Sequence, residues 1–412
     1  MDYNFYFDES FHDRKIVSNL DGTLNVLNDN SMDSYVGVFW GCHQNKLHPI
    51  ISALEVFEDH YRKVFTLKDE AELKSSVIKQ KNYTYGVHSF SKEAMSFYSD
   101  LFRILDDNAI LIQATIISKV EWMLRKVFSK SQLPNYVNEN SFYYTLTKII
   151  CTYKPKEIIH DLHLVTDSQS ASLFRDRLVD RLETLAIAEV NIERKEAERS
   201  ALSEIAFIIE SMDMSNLQSE KVDFAYYPNF EALCNLLNEN SINPKKIKLV
   251  IDKEEKTYLT ATQYNFGRLT QQDSKYVIQI RLADFISGFI GRMIKALMSD
   301  LSSQEVNIPK FCDISKEDLI EKRLISDEWF QLTESQFTLY RQFYKVLILN
   351  NSSYWATMTL SYADGVACFY TLIRYINQYK TYSEYCAVST DLHREYYNSA
   401  CCDELDRHYK SL

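Results

Sequence analysis

Four acids in this 412-residue chain occupy settings in which a carboxylate needs a partner. Asp8 follows the apolar run Phe5-Tyr6-Phe7, and Asp252 follows Leu249-Val250-Ile251. At the end of such strands an uncompensated charge is costly without a cation or a donor. Asp284 interrupts a helical run in which Leu282, Phe285, Ile286 and Phe289 surround it and Ser287 and Gly288 are small. Glu72 stands in the acidic group Asp69, Glu70 and Glu72, two residues before Lys74. An all-oxygen set suits a hard divalent cation, Mg²⁺ or Mn²⁺, and the chemistry it serves is phosphodiester hydrolysis. Carboxylates brought together also repel, so one of them should hold a raised pKa. Each acid has a plainer structural role as well. Asp8 can cap a turn, Asp252 can start the helix that Lys253-Glu254-Glu255-Lys256 begins, Asp284 can sit on an exposed face, and Glu72 can belong to a solvated acidic surface.

Glu9 alternates to the other face of its strand and reads as an outer neighbour of the site, as does Ser10. Lys74 and Lys275 are candidate phosphate contacts, with Ser274 beside them. His43 with His48 and His160 with His163 have metal-like spacings, but no matching Cys or His pair stands near either.

The elements that must position these acids are legible in part. Residues 4 to 7 and 35 to 40 are aromatic and β-branched, and the polar stretch around Asp21-Gly22 between them reads as a hairpin connection. Pro49 to Phe65 and Ser91 to Leu105 carry apolar residues at helical spacing. Asn108 to Ser118 reads as a third strand, covered on both faces, and Lys246 to Asp252 as a further buried strand. Leu162 to Thr166 reads as a short strand, with Asp167 as an alternative strand-end acid. Ala171 to Met212 reads as one charged helix, and Ala283 to Met298 as an amphipathic helix. The predicted division is a sheet domain in two parts, 1–120 and 241–300, a mainly helical insertion over 121–240, and a helical C-terminal module over 301–412.

Eight Gly and six Pro in so long a chain disfavour a turn-rich all-β fold. The net charge of -11 gives no general attraction to a polyanion, so any nucleic-acid site must be local. The eight Cys contain no Cys-x-x-Cys pair, which suits a reducing compartment and argues against structural zinc. The N-terminal residues do not resemble a signal peptide, and the most apolar stretches are too short or too charged to span a bilayer. The expectation is a cytoplasmic protein with no membrane partner.

Taken in order, Asp8-Glu9-Ser10 at a strand end, Glu72-Leu73-Lys74, the strand Leu249-Val250-Ile251-Asp252, Asp273-Ser274-Lys275 and the helix segment Arg281-Leu282-Ala283-Asp284 resemble the ribonuclease H-like family catalogued as domain of unknown function 3800. The closing segment is the most specific of these. Arg281 departs from the family's Gln, the insertion before Asp252 is long, and the resemblance covers roughly residues 1 to 298. It implies an α/β fold with a ribonuclease H-like mixed sheet flanked by helices. It also implies that Asp8, Glu72, Asp252 and Asp284 bind Mg²⁺ or Mn²⁺ in a nuclease acting on RNA or DNA, in a family associated with anti-phage defence. The competing expectation is a non-catalytic scaffold or sensor that binds a protein partner through the helical insertion or the C-terminal module.

Overall fold

A computed structural model of the chain describes residues 2–10, 34–68, 70–108, 110–128, 133–153, 156–188, 190, 196–215, 226–303, 324–350, 355–356 and 364–410. The predicted hairpin connection at Asp21-Gly22, together with Asp69 and Cys312, lies outside these residues. The fold is mixed α/β, with a six-stranded sheet in which the sixth strand has only two residues.

The strands are β1 (Tyr3–Ser10), β2 (Ser34–His43), β3 (Leu111–Ser118), β4 (Ile247–Ile251), β5 (Arg268–Gln271) and β6 (Trp355–Ala356). Their order across the sheet is β5-β4-β1-β2-β3-β6. The β1, β2 and β3 strands form an antiparallel meander, while β4 runs parallel to β1 and β5 parallel to β4. Alternation sorts the side chains of β1 onto two faces. Tyr6 joins Val36, Val38, Trp40 and Val250 in the larger core, whereas Phe5 and Phe7 pack with Tyr35, Phe39 and Ile251 on the other face.

On the larger face lie α1 (Leu47–Val64), α2 (Lys92–Asp107) and the long α10 (Ile278–Ser303). The middle of α10 is buried on all sides at Leu282, Ala283, Phe285, Ile286, Phe289 and Ile290. Such a helix needs partners around its whole circumference. The sheet supplies some, and Phe289 meets the rings of Tyr98, Phe102, Phe343 and Phe369. Trp40 Nε1 of β2 donates to Gln279 O at 2.6 Å, which pins the first turn of α10 to the sheet.

Between β3 and β4 run α3 (Lys119–Val127), α4 (Glu139–Tyr153), α5 (Lys156–Leu164), α6 (Ser168–Ala188), α7 (Glu196–Glu210) and α8 (Tyr227–Glu239). Helices α3 to α7 enclose a hydrophobic cluster of their own. Helix α8 instead lays Phe230, Leu233, Leu236 and Leu237 on the second face of the sheet. Arg125 of α3 bridges Glu121 and Glu139 at 2.9 and 2.8 Å, fixing the start of the helical region to the sheet's edge. After β4 comes the short α9 (Glu255–Ala261).

Beyond α10 the chain forms α11 (Glu334–Phe343), which continues into a π-helical turn (Tyr344–Leu349). It ends in α12 (Asp364–Asn377), α13 (Tyr382–Cys386) and α14 (Thr390–Lys410). Their buried aromatics, including Phe337, Phe343, Phe369 and Tyr397, belong to the same core as α10 and the larger sheet face. From α4, Tyr144 and Lys148 reach Asp364 at 2.8 and 3.1 Å, joining the helical region to the start of α12.

Three local expectations are corrected. Leu162 to Leu164 lie in α5 rather than in a strand, because Ile158, Ile159 and Leu162 repeat at helical spacing and bury together. Asp167 therefore does not end a strand. It accepts from the Ser170 backbone N–H at 2.8 Å at the start of α6, and this bond with that of the Ser170 hydroxyl lowers its pKa. The single helix expected over Ala171 to Met212 is two helices, α6 and α7, which pack on each other.

Candidate functional site

Register brings the first two acids together. Phe7 pairs with Ile251 across the parallel β1–β4 ladder, so Asp8 and Asp252, the next residues of each strand, stand side by side at the ends of neighbouring strands. Asp8 lies on the face that α10 covers, and its Oδ1 accepts from the Glu9 backbone N–H at 2.8 Å. Asp252 Oδ1 accepts from the backbone N–H of Lys253 at 2.8 Å and from that of Ser274 at 2.9 Å. Asp252 is not the cap of α9, a place that Glu254 takes.

Asp284 enters from α10. Its Oδ2 accepts from the Ser75 backbone N–H at 2.6 Å and its Oδ1 from the Ser75 hydroxyl at 2.9 Å. The close approach depends on Gly288, one turn further along, because a Cβ there would stand 2.5 Å from Ser75 Cβ. Ser287 on the same face of α10 meets Ser10 of β1, Oγ to Oγ, at 2.7 Å. Glu72 lies in the loop just before Ser75, with Oε2 3.2 Å from Lys74 Nζ. Its other oxygen, Oε1, is buried and has no hydrogen-bond partner among the described residues.

The electrostatics reflect this convergence. Burial first, then the charges of Glu9, Asp284 and Asp252, hold the Asp8 carboxyl well above its ordinary value. Burial also raises Asp284, against the two Ser75 bonds and the Arg292 and Lys74 charges that pull it back. Burial alone would lower the Lys74 ammonium, but Glu72, Asp284 and Asp8 outweigh that effect and raise it. Lys74 thus responds to three of the four acids.

The other candidates occupy the periphery. Glu9 faces the opposite side of the sheet, where its charge raises the Tyr35 hydroxyl after burial has done so. Ser274 is buried and acts through its backbone, while the Lys275 side chain is exposed. Asp167 is remote in sequence and structure, capping α6. Ser75, Ser287, Gly288 and Glu58 are the residues that strand-end reasoning did not single out. Arg281, the departure from the family's Gln, is buried, pairs with Glu58, and donates to the carbonyls of Ser274 and Lys275. It thereby braces the turn whose N–H holds Asp252.

Among the described residues no three His, Cys, Asp or Glu side chains form a ready ligand group for a metal ion. The donor chemistry nevertheless suits a hard cation. Asp8, Asp252, Asp284 and Glu72 offer only oxygen, Glu72 Oε1 is unpartnered, and the Asp8 carboxyl carries a repulsive cost that a cation would relieve. Compared with known proteins, the chain matches no family model, no curated protein and no solved structure. No helix among the described residues is long and apolar enough to cross a membrane.

Proposed function

We propose that this chain is a ribonuclease H-like, divalent-metal-dependent nuclease related to the domain of unknown function 3800 family, with Asp8, Asp252, Asp284 and Glu72 as its metal-binding acids. The observation that carries the reading is the meeting of Asp8 and Asp252 on adjacent parallel strands beneath a helix that brings Asp284, with Asp8 raised by the charges of the other two. A meander joined through β1 to two parallel strands, with helices on both faces, supports the fold part of the proposal. When bound, Mg²⁺ or Mn²⁺ would supply charge compensation and the activation of water for phosphodiester hydrolysis.

The chain's own residues prepare that site. Ser75 and Ser274 orient Asp284 and Asp252 through fixed N–H groups, so little reorganisation is left for the moment of reaction. Lys74 is about half exposed while its charge is felt by Asp8 and Asp284, which suits it to meet a phosphate at the edge of the acids. The substrate contact is local, because the chain as a whole is acidic.

One observation favours a second reading. Both Asp284 oxygens are already engaged by Ser75, and Lys74 occupies one oxygen of Glu72. A scaffold or sensor that keeps the fold and binds a protein partner would be stable with these contacts alone. The test is cleavage of end-labelled single- and double-stranded RNA and DNA in Mg²⁺ and Mn²⁺. Cleavage lost in Asp8→Asn and Asp284→Asn, with folding intact, supports the nuclease. Absence of both cleavage and metal-dependent stabilisation leaves the scaffold.

A further inference from the structure

A second polar feature lies one helical turn from Asp284. Between α1 and the start of α10 is a hollow of about 490 Å³, lined by Glu55, Glu58, Asp59, Tyr276, Gln279 and Arg281 among others. The three acids share one face of α1 by their spacing. A single cation faces them. Arg281 is 8% exposed, with one Nη bonded to Glu58 and the other to the Ser274 and Lys275 carbonyls. Its Nε is buried and has no hydrogen-bond partner among the described residues. Nor is a hydrogen bond or ion pair made by the Glu55 or Asp59 carboxylate among those residues. Tyr276, 79% exposed, stands at the same hollow.

These features select a ligand. Uncompensated acids repel phosphates and carboxylates, and a lining of charged groups gives a lipid tail nothing to bury against. An exposed tyrosine face suits a flat ring. The carboxylates call for adjacent N–H donors, and the unpaired Nε calls for an acceptor, since a buried donor left unsatisfied costs about 1–3 kcal/mol. Guanine presents N1–H and the 2-amino group side by side with O6 next to them. Adenine places an acceptor beside its amino group, and uracil and thymine offer one N–H between two carbonyls.

We infer that the hollow is a guanine-binding subsite, in which Tyr276 stacks on the base, Glu55 or Asp59 accepts from its N1–H and 2-amino edge, and Arg281 Nε donates to O6. The inference deepens the nuclease reading and rests on it for the linked phosphodiester. Lys275, exposed and adjacent to Tyr276 in the chain, is placed to meet the phosphate that the hollow itself repels.

The test titrates guanosine, inosine and adenosine into the full chain by calorimetry. Single-stranded oligonucleotides carrying one guanine, hypoxanthine or adenine are then titrated into the Asp8→Asn protein, which suppresses turnover. Guanosine is expected to bind at least tenfold more tightly than adenosine, with inosine, which lacks the 2-amino group, between them. Tyr276→Ala and the double variant Glu55→Gln/Asp59→Asn are expected to weaken guanosine binding tenfold or more. All these positions are exposed, so circular dichroism should be unchanged. Equal affinity for adenosine and guanosine, or an unaltered affinity in the double variant, overturns the subsite. Binding of free guanosine without binding of the guanine oligonucleotide overturns its role in holding a strand. Cleavage by wild-type protein without preference for guanine overturns the subsite and leaves the nuclease standing. Guanine binding without any cleavage does the reverse.

Discussion

Replacing Gly288 by Ala tests how the site is held, because two effects of opposite sign meet there. In an exposed helix interior, Gly→Ala stabilises by about 1 kcal/mol. Here the new methyl would stand 2.5 Å from Ser75 Cβ and 2.5 Å from Arg292 Nη1, and closer still to the Ser75 hydroxyl. Arg292 is long and can move. Ser75 cannot move without leaving Asp284, which accepts from both its N–H and its hydroxyl. Overpacking costs about 1–3 kcal/mol, and a weakened hydrogen bond to a charged group about 1.5–3 kcal/mol. Set against the propensity gain of ~1 kcal/mol, the expected net loss is about 2–4 kcal/mol. Urea unfolding would register it as a lower midpoint at unchanged slope. The double-mutant cycle with Ser75→Gly isolates the cause, since that change removes both the hydroxyl and the Cβ. In the Ser75→Gly background Gly288→Ala should be neutral or mildly stabilising. The reasoning fails if Gly288→Ala is as stable as wild type, or if it is equally harmful in both backgrounds.

Further outcomes follow from the same packing and charges. The raised Asp8 pKa gives stability that is present below the ordinary carboxylate value and lost as pH rises through the folded value. Asp8→Asn should therefore unfold at higher urea than wild type at pH 8 without metal, with the difference shrinking towards pH 4, and should lose any thermal stabilisation by Mn²⁺. Burial, opposed by Arg125, pushes Glu121 up to about 7 from an ordinary 4.5. Its contribution is full below pH 4.5 and falls away through pH 7, so Glu121→Gln should flatten a loss of about 1–3 kcal/mol between pH 5 and pH 8. Hydrogen exchange in α3 and α4 would locate that loss. Phe289→Ala should cost about 3–5 kcal/mol by denaturation, because its ring is fully buried among Tyr98, Phe102 and Phe343. A loss below ~1 kcal/mol would mean that α10 is not the centre of the core.

Strands whose burial is continuous or alternating could be read from the sequence. Asn4 to Phe7, Tyr35 to Trp40, Leu111 to Ser118 and Ile247 to Ile251 all form strands where apolar and β-branched residues predict them. β5 could not be read, because Arg268-Leu269-Thr270-Gln271 is short and exposed at both ends, and only its pairing with β4 makes it a strand. Leu162 to Thr166 misled for the opposite reason, since a few apolar residues in a row fit a buried helix as well as a strand. Among the site residues, Asp8, Asp252 and Asp284 announced themselves as charges in apolar runs. Ser75 and Gly288 did not. A small residue at a close approach has no signature until its distant neighbour is known, and Ser75 meets Asp284 only through the tertiary fold. The meaning of Arg281 likewise depended on Glu58, which looks like any other acid on an amphipathic helix.

The placement of β1 between β2 and β4 has a consequence for how the chain is born. β1 can pair with β2 and β3 soon after they leave the ribosome, yet its other edge waits for β4, about 240 residues later. At roughly 5–20 residues per second, tens of seconds of synthesis separate the two strands. During that interval Asp8 sits at an open sheet edge, free to keep its water, and neither Asp252 nor Asp284 has yet been made. The crowding of carboxylates is thus deferred until α10 arrives and closes the larger core. The nascent protein passes most of its synthesis with the future site dismantled.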